Sequence, residues 1–168
     1  MANKHFHVFI YTILLFAVTF WCASFLSVPF LKSGEPWPRF LEVLIRQFFA
    51  PVCHQNPVRS FHVMGKPLAV CARCSGIYIG FWLGVVVYPL FFRFKSEISV
   101  SRNILILSLT PMGVDVFVEW AGLFASPNWV HAFTGFIAGY VVAFIVVPGL
   151  FSAASWFYEK RSRHGSIF

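Results

Sequence analysis

Four apolar runs, roughly residues 6–30, 76–92, 103–124 and 129–156, constrain this chain more than any other feature of its sequence. Each is long enough to cross a hydrocarbon core of about 30 Å at a helical rise of about 1.5 Å per residue. A chain of 168 residues has too little interior to hide them, since 58% of it is hydrophobic and only 11% charged, against roughly 25% charged in soluble domains. The expected fold is therefore all-α and integral to a membrane, a single membrane domain over residues 1–168 with four transmembrane helices. The first run reads as an uncleaved helix: no A-x-A site follows it, and bulky Trp21 precedes Cys22 where a lipoprotein cysteine would follow a small residue.

Within the second run Gly76, Gly80 and Gly84 share one helix face, and Gly135 and Gly139 do the same in the fourth. Such faces let helix backbones approach closely, which makes them candidates for packing inside the bundle or for a homo-oligomer. Between the first two runs lies a long connection, residues 31–72. Its segment 39–52 carries Leu41, Leu44, Ile45 and Phe48 at i, i+3, i+4, i+7 spacing, too short to span, and predicts an amphipathic helix on the membrane surface ended by Pro51. The net charge is +7, but the basic residues flank the apolar runs. They point to topology and anionic lipid headgroups, with the lipid bilayer as partner and no nucleic acid. Arg93, Lys95 and Arg102 between the second and third runs, and Lys160, Arg161 and Arg163 in the tail, favour termini in the cytoplasm and the long connection outside.

The connection holds Cys53, His54, His62 and the C-x-x-C formed by Cys71 and Cys74. Counting spans brings the end of the third run, with Asp115 and Glu119, back to the same membrane face, along with Ser126, Asn128 and His131. Asp115 and Glu119 are four apart and share a helix face. Carboxylates in membrane helices face the bundle interior, pair, or do chemistry. Ion pairs to Arg73 or Arg59 would pin the connection onto the helices.

Two blocks of residues resemble a known family. The first is Cys53-His54-x-x-Pro57-x-Arg59-Ser60-Phe61 followed by Cys71-Ala72-Arg73-Cys74-Ser75-Gly76-Ile77-Tyr78-x-Gly80. The second comprises Asp115, Gly122, Ser126, Asn128, Thr134, Gly135 and Gly139. Together they resemble the membrane family called domain of unknown function 2085, over about residues 50–140. The resemblance implies a small polytopic protein of a prokaryotic cytoplasmic membrane. It brings no activity with it, so function must come from the chemistry of the residues.

Three chemistries fit them. Thiols at positions 53, 71 and 74 with one imidazole make a tetrahedral set suited to zinc or another transition metal, the ligands being Cys53, His54, Cys71 and Cys74 with His62 as the alternative to His54. Asp115 and Glu119 would then be the candidate catalytic residues of a metal-dependent enzyme, taking a proton from metal-bound water. A thiol–disulfide oxidoreductase could use the C-x-x-C at a helix N-terminus, where the dipole and Arg73 favour a thiolate. A small ion or solute transporter with a structural metal site could route ions past the intramembrane carboxylates.

Overall fold

The computed structural model describes residues 4–31, 34–92 and 102–165. Arg93 and Lys95, used above to judge orientation, lie outside those residues. The helices are α1 (Lys4–Ser27), α2 (Pro36–Phe49), α3 (Ala72–Phe92), α4 (Arg102–Trp120) and α5 (Asn128–Gly165). Four of them are long and apolar enough to cross a membrane, over His5–Phe30, Ala72–Phe92, Asn103–Trp120 and Asn128–Tyr158. The first continues from α1 into a 3-10 turn, Val28–Phe30.

The boundaries depart from the expected ones for local reasons. Helix α3 begins at Ala72 rather than at Gly76, so the C-x-x-C forms its first turn; the Ser75 N–H bonds the Cys71 carbonyl at 2.9 Å. Helix α4 stops at Trp120 rather than residue 124. Gly122 there has φ +67°, and its N–H bonds the Glu119 carbonyl while that of Leu123 bonds the Val118 carbonyl, each at 3.1 Å. This is a Schellman ending, which places a glycine in the left-handed conformation just past the last turn. Helix α5 runs past residue 156 to Gly165.

The two glycine faces meet each other. A Cβ on Gly76 would overlap the Ala132 carbonyl oxygen, and one on Gly80 the Phe136 carbonyl oxygen. On the opposite face, a Cβ on Gly139 would overlap the Ile77 carbonyl oxygen. Helices α3 and α5 are thus in backbone contact along their lengths. Gly76, Gly80, Gly135 and Gly139 are used within the chain and are not the surface through which a second copy could pack. Helix α4 is attached more loosely. Ile106, Leu107, Val114 and Phe117 remain exposed on it, and a cavity of about 430 Å³ opens between α1, α3, α4 and α5, lined by Val18, Trp21, Phe81, Leu109 and Met112 among others.

The connection is built on α2. Phe49 is fully buried, with its ring 5.0 Å from that of Trp21 and 6.1 Å from that of Phe25. Trp37, Phe40, Leu44 and Phe48 stay exposed, an apolar face of the kind that lies in a bilayer interface. A two-residue hairpin follows, β1 (His62–Val63) paired antiparallel with β2 (Lys66–Pro67). Its turn residues Met64 and Gly65 both have positive φ, +52° and +77°, the conformation that tight hairpins of this length require.

Candidate functional site

Two polar constellations sit side by side at the mouth of α3, and the turn Cys71-Ala72-Arg73-Cys74 contributes to both. Residues 71 and 74 are about 60° apart around a helix axis, while residue 73 is rotated by about 100° from residue 74. The thiols therefore address one neighbour and Arg73 another.

The thiols of Cys71 and Cys74 meet Cys53, and all three sulfur atoms lie within 4.8 Å of one another. Cys53 reaches them because the chain turns sharply after α2, where the Cys53 N–H caps the Phe49 carbonyl at 2.9 Å. Gln55 then adopts φ +51° and ties back through its side-chain amide to the Arg46 carbonyl at 2.6 Å. Cys53 is 5% exposed, and Cys71 and Cys74 are half-buried. The Cys53 sulfur accepts the backbone N–H groups of Cys71 at 3.2 Å and Gln55 at 3.4 Å. Hydrogen bonds from the Cys71 and Cys74 thiols, helped by those two amides against the opposing effect of burial, hold the Cys53 thiol far below the usual thiol range. Phe49, Leu68, Ala69 and Val70 wall the site with apolar surface.

Of the ligand set expected from the sequence, the cysteines converge. Among the described residues, no histidine or carboxylate belongs to that group of donors. His54 is exposed. His62 is exposed on β1, its Nδ1 3.1 Å from the Ser60 carbonyl oxygen. Cys22 lies apart in the helical core, its sulfur 3.5 Å from the Tyr78 carbonyl oxygen.

The second constellation joins α3, α4, α5 and the connection. Arg73 Nη2 donates to Asp115 Oδ2 at 2.7 Å and approaches Glu119 Oε2 at 3.4 Å. Arg59 Nη2 reaches Glu119 Oε1 at 3.1 Å. His131 Nδ1 lies 2.7 Å from Asp115 Oδ2, and its Nε2 lies 3.6 Å from Glu119 Oε1. Asp115 and His131 are 6% and 3% exposed. With Asp115 ionised, Arg73 and His131 Nδ1–H both donate to Oδ2, so the 3.0 Å approach of Nη2 to Nδ1 is that of two donors sharing one acceptor. Asp115 and Cys71 are thus at one membrane face, as the count of spans requires, and the ion pairs of Arg59 and Arg73 pin the connection onto α4. Asp115 and Glu119, the candidate catalytic pair, are engaged by these cations.

One pinning residue carried no warning in its own chemistry. Asn128, at the start of α5, donates its side-chain amide to the carbonyls of Val58 and Ser60, at 3.3 Å each. The 3-10 turn Pro57–Arg59 that presents those carbonyls is capped by Asn56, whose side chain accepts the Val58 N–H at 3.0 Å. The signals for Asn128 were the count of spans, which puts it at this membrane face, and its place in the second block of the family pattern.

A family model described as "Predicted membrane protein (DUF2085)" matches residues 53–145, which span both constellations. An uncharacterised protein of Methanocaldococcus jannaschii is 36% identical over 142 residues, covering 83% of this chain and 90% of the relative. An uncharacterised protein of Methanothermobacter thermautotrophicus is 34% identical over 93 residues, covering 54% of this chain and 80% of the relative. No solved structure matches.

Proposed function

Because the chain belongs to the family called domain of unknown function 2085, whose name supplies no chemistry, we propose a function from the site itself: it is a membrane protein that binds one thiophilic metal ion, zinc or another transition metal, through Cys53, Cys71 and Cys74. The observation that supports this is the convergence of thiols from two separate segments, within 4.8 Å of one another, on a wall of apolar side chains. Two half-buried thiols on a helix turn are common. A third, brought from 18 residues upstream with its sulfur aimed at by two backbone amides, makes a clamp. Amide donors on a sulfur are the kind of surrounding shell that tunes a metal thiolate.

In this reading the ion links folding of the connection to binding, because residues 53–74 close around it. Asp115 and Glu119 hold the helices at that face, and the reading needs no proton transfer from them. The membrane is a prokaryotic cytoplasmic membrane, in keeping with the archaeal relatives.

The test is metal content by mass spectrometry and free thiols under denaturation, for detergent-purified wild type and all four Cys→Ser variants. Wild type is expected to carry about one metal equivalent. Replacing Cys53, Cys71 or Cys74 should release it, and Cys22→Ser should not. Metal-free wild type with Cys71 and Cys74 oxidised would overturn this reading in favour of thiol–disulfide exchange.

A further inference from the structure

We infer that the ion is monovalent copper, held by the sulfur atoms of Cys53, Cys71 and Cys74 without a fourth protein ligand. The inference rests on the metal reading above and narrows it. It starts from the number of donors. Among the described residues the group contains sulfur only, three atoms within 4.8 Å of one another. Zinc in protein sites is almost always four-coordinate, so this set leaves it one ligand short. Copper(I) is a soft closed-shell ion that three thiol sulfurs satisfy in a plane, and soft sulfur ligands are what select it.

The other donors nearby are committed elsewhere. Asp115 and Glu119 are bound by Arg73, Arg59 and His131. His54 is exposed. His62 donates Nδ1–H to the Ser60 carbonyl, which leaves Nε2 free to bind a metal, but it stands exposed on the hairpin and outside the sulfur group. The surroundings agree with the count. Phe49, Leu68, Ala69 and Val70 are buried against the sulfurs, an apolar wall that offers no hydrogen bond on that side to the water zinc would need as its fourth ligand. Negative charge on the thiolates is offset instead by the amides of Cys71 and Gln55 on Cys53 and by the positive end of the α3 dipole. Each thiol that ionises on binding releases its proton to solvent, and copper enters already reduced, so no electron is transferred.

The experiment loads detergent-purified, reduced full-length protein with zinc(II), adds one equivalent of copper(I) without oxygen, and follows the zinc released. X-ray absorption then reads the coordination of the bound copper. Copper is expected to displace the zinc stoichiometrically and to show an all-sulfur, three-coordinate shell. This should persist in His54→Ala and His62→Ala and vanish in Cys53→Ser. The absorption measurement on wild type needs no variant, so a Cys53→Ser protein that fails to fold does not decide the matter. Zinc that stays bound against copper, in a four-coordinate shell lost in His62→Ala or His54→Ala, would overturn the copper assignment while leaving the three-thiol metal site standing. Protein that takes up neither ion would overturn both.

Discussion

Helix α5 meets its two main neighbours in opposite ways. Against α3 it packs backbone to backbone, with glycines on both sides and no room for a Cβ at Gly76, Gly80 or Gly139. Against α4 it packs over one narrow face only, and the polar link is a charged cluster at one end, where His131 of α5 and Arg73 of α3 hold Asp115, while much of the rest of α4 stays exposed. Lipid tails are as apolar as Leu, so the hydrophobic effect does not distinguish these contacts inside a bilayer. Close packing acts along a whole seam and is rigid. The charged cluster acts at a point, and it is incompletely satisfied, since Arg73 Nε is buried without a hydrogen-bond partner among the described residues. The bundle is therefore best seen as an α3–α5 spine with α4 latched to it.

The seam should be the harder of the two to damage without losing the fold. Gly80→Leu places a side chain where the Phe136 carbonyl stands and should cost about 3 kcal/mol or more, at the upper end for overpacking. Val86→Leu, on the same helix, should cost under about 1.5 kcal/mol. Thermal unfolding of the two variants in one detergent measures the difference, and equal stability would break the idea of a spine. Arg73→Ala should come next. It removes the α3 cation from both carboxylates and leaves buried Asp115 to His131 and Glu119 to Arg59, a loss of about 3 kcal/mol, at the low end for a broken buried pair. Its signature is local: amide exchange should rise along α4 and remain slow in α3 and α5. Metal should stay bound, because the thiols face away from Arg73. A rise spread evenly over all the helices would mean that α4 is no separate unit.

Much of this division could be read from the sequence, and the limits are physical. The apolar runs are long and nearly free of charge, so the spans appeared with small boundary errors. Their number fixes which ends share a face, which brings Asp115, Glu119 and His131 to Cys71. Glycine spacing marked faces able to approach a backbone, but not whose backbone; a face on α3 and one on α5 look equally ready for a second copy. The candidate metal ligands show the same split. The C-x-x-C sets its own geometry through helical spacing. Whether Cys53 presents its sulfur and His54 does not depends on the turn after α2, where Gln55 takes a positive φ that residue types alone do not specify.

The end of α4 tests the latch without touching a charge. Gly122 sits at φ +67° with open space around its Cα, so Gly122→Ala meets only backbone strain, about 1–2 kcal/mol. The strain would be relieved by unwinding the last turn, which carries Glu119. Arg59 should then lose its partner before Arg73 does, because Asp115 lies a turn deeper. Faster proteolysis of residues 121–127, with α3 and α5 unaffected, is the expected result. A variant as resistant as wild type would mean that α4 is held along its length after all.

The smallest effect expected is at Asn128, and it asks whether the connection belongs to the spine or to the latch. Its amide donates to two carbonyls in the turn that carries Arg59, and it is anchored in the first residue of α5. Removing the bonds in Asn128→Ala frees the exposed Val58 carbonyl to find water and leaves the Ser60 carbonyl to the His62 Nδ1–H, so the cost should be about 1 kcal/mol. If the turn is held by α5, that small loss should loosen residues 56–61 and weaken the Arg59–Glu119 pair with them, visible as faster amide exchange at Ser60 and Phe61. If the turn is held from the other side, by Arg59 reaching to α4, Asn128→Ala should leave exchange at Ser60 unchanged while Glu119→Gln accelerates it. A double variant separates the cases, because groups held in one network are not additive. Losses that simply add would place Asn128 and Glu119 in independent attachments, and the connection would then be fastened twice, once to each unit.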